Sequence, residues 1–127
     1  MIKYNYSNLY LREDPSNKDV YFVGISEMFV ESNSVIENVT VNESTELTHG
    51  EDFITIDNDN ETIDFFSPFK MEVVEINTEV DLEQSILNDP EYDGWIVKVR
   101  CSKSNYESLF NYEEYAKSFE EGVLEYE

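Results

Sequence analysis

Short apolar segments, each closed off by turn-forming residues, recur along this chain: Val20-Tyr21-Phe22-Val23-Gly24-Ile25, Val39-Thr40-Val41, Phe53-Ile54-Thr55-Ile56, Ile63-Asp64-Phe65-Phe66, Met71 to Ile76, and Trp95 to Val99. They are rich in β-branched and aromatic residues, which suit a pleated, half-buried surface, and too short for helices that could bury a face of their own. Between them lie stretches such as Asp14-Pro15-Ser16-Asn17 and His49-Gly50-Glu51-Asp52, where Pro and Gly set special backbone angles and Asn and Asp bond locally. The pattern predicts a mainly β domain. Two helical pieces interrupt it. One begins after Ser26, whose hydroxyl can cap it while Glu27 favours its positive end, and is expected to bury Met28, Phe29 and Ser32. The other runs from about Tyr112 to Glu121, with Tyr112, Tyr115, Ala116 and Phe119 on one face and Glu113, Glu114 and Lys117 on the other.

The 127 residues are the size of one domain, and a single domain over 1–127 is expected. Eight basic residues against 29 acidic ones give a net charge of −21, which repels phosphate backbones and anionic lipid surfaces. Nucleic acid and membrane insertion are therefore not expected. The residues Met1 to Leu11 carry neither a secretory apolar run nor an Arg-rich amphipathic pattern, so an intracellular location is expected, in cytoplasm or an organelle matrix. Cys101 stands alone and is expected to pack as a small hydrophobe.

From Gly50 the sequence reads Gly-Glu-Asp-Phe-Ile-Thr-Ile-Asp-Asn-Asp-Asn-Glu-Thr-Ile-Asp-Phe-Phe-Ser-Pro, then Phe-Lys-Met-Glu-Val-Val-Glu-Ile-Asn to Asn77. This stretch resembles, without a gap, the lipoyl hairpin of the glycine cleavage system H proteins. Val23-Gly24-Ile25-Ser26 is similar to that family's Val-Gly-Ile-Thr before its first helix. Asn88-Asp89-Pro90 through Gly94-Trp95-Ile96-Val97-Lys98 is similar to its Asn-x-x-Pro to Gly-Trp segment with one residue deleted, and Leu109 to Tyr115 is similar to its closing helix. The resemblance implies a barrel-sandwich hybrid of the lipoyl type, with a short helix after the second strand and a C-terminal helix. It also implies a hairpin tip that presents a lysine carrying lipoate as an amide, which shuttles an aminomethyl group among partner enzymes.

In this register Asn60 occupies the lysine position. Lipoylation needs a nucleophilic amine on a long stem, because the amine attacks an activated acyl group and the stem supplies reach. A carboxamide nitrogen is delocalised into its carbonyl and its stem is one carbon long. No Lys or Arg lies between Lys18 and Lys70, and Lys70 follows Pro68 on the far strand. The expectation is a degenerate, non-catalytic carrier without lipoate as cofactor, which binds a protein partner, with the glycine cleavage enzymes or a larger assembly as candidates. A divergent but working carrier in glycine decarboxylation is the alternative.

The expected binding residues are Asp57, Asn58, Asp59, Asn60 and Glu61 at the tip. Their oxygens are donors of the kind calcium accepts, but the spacing lacks that of a calcium loop, and Asp and Asn are favoured in exposed turns for their own backbone bonds. No metal site and no catalytic residue are expected. His49 has no nucleophile placed beside it by any motif, one His with one Cys does not make a zinc ligand set, and Glu72, Glu75 and Asp81 read as solvated strand edges. Family turn residues are also replaced, with Ser34 and Val35 in place of Gly-Asp and Val41 and Ser44 in place of Pro and Gly.

Overall fold

The computed structural model of this chain describes residues 2–32, 36–58 and 61–121, with side chains as far as Phe119. Its strands are β1 (Ile2–Tyr4), β2 (Leu9–Glu13), β3 (Val20–Ile25), β4 (Asn38–Val41), β5 (Glu46–Leu47), β6 (Asp52–Asp57), β7 (Thr62–Phe66), β8 (Met71–Ile76) and β9 (Val97–Arg100). Its helices are α1 (Glu27–Ser32), α2 (Leu82–Asn88), α3 (Lys103–Glu107) and α4 (Tyr112–Glu121). One sheet runs β1-β2-β3-β9-β8-β5 and the other β4-β6-β7. All the pairings are antiparallel.

The main core is filled from both sheets. Leu9, Leu11, Val23, Ile25, Val97 and Val99 from the larger sheet and Ile54, Ile56 and Phe65 from the smaller belong to one buried cluster. Each such side chain, fully buried, contributes about 1.5–3 kcal/mol of transfer free energy. Phe53 and Ile54, adjacent in sequence, are both buried, although strand alternation should expose one of them. A register shift between Asp52 and Ile54 explains this, because a bulge puts two residues opposite one partner and breaks the alternation. A second shift, between Val73 and Glu75, leaves the intervening Val74 exposed.

A separate cluster lies under α4, where Tyr4, Tyr10 and Tyr115 are buried and Met28, Phe110 and Phe119 pack against them. The Tyr4 and Tyr115 rings stack at 4.6 Å. β2 therefore lies between two cores, Leu9 and Leu11 facing one and Tyr10 the other. Across from Tyr10 in β3 is Gly24. A Cβ at Gly24 would come within 2.8 Å of the Tyr10 ring, so the ring's position depends on the missing side chain.

The expected mainly β architecture is present, with several corrections. The short helix follows the third strand, since β1 and β2 both precede β3, and α2 and α3 are additional to the two expected helices. Trp95 lies before β9 rather than in it. In α1 the fully buried side chain is Val30, whereas Met28 and Phe29 are only partly buried. Ser32 is exposed and its hydroxyl donates to the Met28 carbonyl at 3.1 Å. Tyr112 is 55% exposed, although it lies on the aromatic face of α4. Cys101 is buried in the main core as expected.

Candidate functional site

The β6–β7 hairpin ends in a turn that joins Asp57 to its cross-strand partner Thr62. Asp59 and Asn60 lie outside the described residues; Asp57, Asn58 and Glu61 lie within them. The Asn58 N–H donates to the Glu61 carbonyl at 3.0 Å, and the Glu61 N–H donates to Asn58 Oδ1 at 3.3 Å. The Asp57 carboxylate accepts from Thr62 Oγ1 at 2.9 Å and from Asn38 Nδ2 at 3.4 Å. These carboxylate and amide oxygens close the turn and tie it to β4, the local role that favours Asp and Asn at such positions. Among the described residues no three His, Cys, Asp or Glu side chains are grouped so as to hold a metal ion.

Lys70 is at the other end of the hairpin. Strand β7 runs five residues away from the tip, about 17 Å at roughly 3.4 Å per residue, before Ser67, Pro68 and Phe69 lead to Lys70. That end is held by Gly50, whose φ of +82° suits a residue without a Cβ and whose N–H donates to the Ser67 carbonyl at 2.8 Å. The Ser67 N–H in turn donates to the Glu51 carbonyl at 2.9 Å. Lys70 is exposed on this turn, a strand length from the tip.

The other residues considered for chemistry are scattered. His49 is exposed in the loop before Gly50. The Cys101 thiol is pushed up to about 12 by burial and by the nearby Asp19 charge, which keeps it protonated and weakly nucleophilic. Glu72 meets Arg100 and Glu75 meets Lys98 as cross-strand ion pairs, and Asp81 sits at the start of α2. All three acids are exposed.

A cleft of about 1020 Å³ lies elsewhere, where α4 begins beside β1 and the loop after α2. Tyr4, Tyr92 and Tyr112 supply aromatic surface, and Glu13, Glu27, Glu91 and Glu113 supply carboxylates. Glu91 accepts from the Tyr4 hydroxyl at 3.0 Å and from the Glu27 N–H at 2.9 Å. Burial holds its carboxyl above the ordinary range, against the lowering effect of those two hydrogen bonds. Arg12 fixes the loop, its Nε donating to the Glu91 carbonyl at 3.0 Å and its guanidinium lying 4.2 Å from the Phe22 ring centre and 4.7 Å from that of Tyr92. Sequence patterns gave no sign of this cleft, because its residues come from separate segments and share no periodicity.

Known proteins share this arrangement of sheets and hairpin. The glycine cleavage H-protein family model matches residues 2–122. A glycine cleavage system H protein of Vibrio vulnificus is 35% identical over 102 residues, covering 78% of this chain and 81% of that protein. A probable glycine cleavage system H protein of Picrophilus torridus is 34% identical over 68 residues, covering 54% of each chain, and one from Vibrio campbellii is 40% identical over 78 residues, 60% of this chain and 62% of its own. With the latter two the chain thus spans between half and two thirds of the relative's length. In structure, the glycine cleavage system H protein of Mycobacterium marinum superposes with a TM-score of 0.74 at 22% identity, over 92% of this chain and 94% of that one, a likeness of fold. By sequence and by fold, the chain belongs to the glycine cleavage H-protein family.

Proposed function

We propose that this family member does not carry lipoate and works as a non-catalytic docking module, which keeps the H-protein framework and binds a protein partner through the hairpin tip or the surface beside it. The observation that carries the reading is chemical: Asn60 stands at the tip position where the family resemblance expects a lysine, and residues 19 to 69 contain no Lys or Arg at all. Lys70 does not substitute, being a strand length away on an opposite turn. An amide side chain offers neither the basic nitrogen nor the stem that acyl attachment requires. The family's own partners, the other glycine cleavage enzymes, are the first candidates for docking, and a larger assembly is the second.

The test is intact mass after incubation with lipoate ligase, lipoate and ATP, with a lipoylated H protein as positive control. An unchanged mass is expected. A lipoyl increment on any residue overturns the reading and favours a divergent carrier. Affinity capture from native extract then identifies the partner: glycine cleavage enzymes among the bound proteins point to a regulatory role within that system, and an unrelated complex points to a different assembly.

A further inference from the structure

We propose that the tyrosine-walled cleft beside α4 docks a basic segment of a partner protein, with an arginine or lysine side chain inserted between Tyr92 and Tyr112 towards Glu91. The inference rests on the docking reading only in taking the partner to be a protein, and a lipoylated chain would have the same cleft, so the two fail separately.

The shape, the walls and the charge point to the same occupant. The cleft is an open groove of about 1020 Å³, long enough to seat several residues of an extended chain along the surface. Two of its three tyrosines, Tyr92 and Tyr112, are more than half exposed, and such rings in a soluble chain mark contact surface more often than core. Both rings are held in place. Tyr92 rests on the Arg12 guanidinium, and Tyr112 meets Tyr4 edge-on with centroids 6.0 Å apart. Ring faces of this kind attract a cation, and a planar guanidinium most effectively.

The carboxylates add the second half of the recognition. Arg12, the basic residue that lines the cleft, already has its guanidinium stacked on Phe22 and Tyr92 and its Nε bonded to the Glu91 carbonyl. Among the described residues Glu91 forms no ion pair, and both of its hydrogen-bond donors are neutral groups. Its raised protonation range is the sign of a partly desolvated carboxylate without a countercharge, and an incoming cation would supply one. Glu27 and Glu113 stand at the rim of the same cleft. An anionic ligand would meet four carboxylates, and an apolar one would have to desolvate them without compensation.

The whole chain, ¹⁵N-labelled, is titrated with a short peptide alternating Arg and Gly and with its Gln-Gly counterpart. Saturable shifts at the amides of Tyr4, Glu91, Tyr92 and Tyr112 are expected with the basic peptide and none with the neutral one. A chain of charge −21 attracts any cation, so the control is Glu46→Gln, which removes the same charge from the exposed edge of β5. Tyr112→Ala and Glu91→Gln are each expected to weaken binding by about fivefold, as for loss of a cation–π or a partly buried charge contact, whereas Glu46→Gln changes it by less than about twofold. Shifts scattered over the acidic surface without saturation overturn the proposal, as does equal weakening by Glu46→Gln and Glu91→Gln. Tyr112 is exposed, so its alanine variant keeps the test open if Glu91→Gln fails to fold; wild-type affinity in Tyr112→Ala also overturns the proposal.

Discussion

The hydroxyls of Ser26 and Tyr115, 89 residues apart in sequence, are hydrogen-bonded to each other inside the protein. Tyr115 also donates to Asn8 Oδ1 at 2.6 Å, and Ser26 Oγ accepts from the Phe29 N–H at 3.2 Å. One chain of hydrogen bonds thus joins α4 to the β1–β2 turn and caps the start of α1. Tyr115→Phe removes the central hydroxyl and leaves the buried Ser26 hydroxyl and the partly buried Asn8 amide to find other partners. It is expected to cost about 1–3 kcal/mol, the cost of a broken buried hydrogen bond, read as a lower midpoint in equilibrium urea unfolding with an unchanged slope.

Gly94 packs against α2 with no room for a side chain. A Cβ there would lie 2.7 Å from Ile86 Cα and 2.9 Å from the Ser85 carbonyl oxygen, both backbone atoms that cannot rotate away. Gly94→Ala is expected to destabilise by about 1–3 kcal/mol through overpacking, and to shift the amide resonances of α2 and the 89–92 loop while leaving those of the hairpin tip in place.

Glu91 sets a pH dependence with a definite sign. Its folded-state pKa is raised above the ordinary 4.5, so the folded protein holds this proton more tightly than the unfolded chain does. The stabilisation from protonation is complete below about 4.5 and is lost as pH rises through the folded value. Glu91→Gln has no proton to lose. Its stability relative to wild type is expected to increase as pH rises through that window, measured by thermal unfolding at a series of pH values; parallel curves for the two proteins would contradict the assignment.

Asn60→Lys tests the chemistry of the tip directly. It places an amine and a long stem in the segment between β6 and β7, and lipoate ligase is expected to add one lipoyl group to the variant, seen as a single mass increment, while the parent chain stays unmodified. A variant that folds but stays unmodified would mean that neighbouring turn residues, Asp59 and Glu61 foremost, have also lost ligase recognition.

Much of the architecture was legible because it is local. β3 coincides with the apolar run Val20 to Ile25 and β8 with the segment Met71 to Ile76, and α4 is marked by aromatic residues at helical spacing. β2 was not legible. Leu9, Tyr10 and Leu11 are each buried, in alternate cores, so the strand has no alternating polar face to betray it. β1 is three residues long and pairs with β2, and the isolated bridge from its Tyr4 to Phe110, 106 residues on, is invisible to any window of sequence. The expected burial of Ser32 in α1 failed, and that of Met28 and Phe29 is only partial, for a similar reason: which face of a six-residue helix turns inward is set by what it packs on, here a core that takes Val30.

The sequence by itself determined that the hairpin segment holds no amine, because reactivity belongs to a functional group: no arrangement of neighbours turns the carboxamide of Asn60 into an amine, and the 51 residues from 19 to 69 contain no Lys or Arg. Only the tertiary structure decided where the chain gathers a recognition surface. Tyr4, Arg12, Glu27, Glu91 and Tyr112 belong to five separate segments, and their mutual positions follow from sheet register, from the Arg12 and Tyr10 bonds to the 89–92 loop, and from the docking of α4 on β1. Those are long-range contacts, formed by packing energy that no local pattern of residues records.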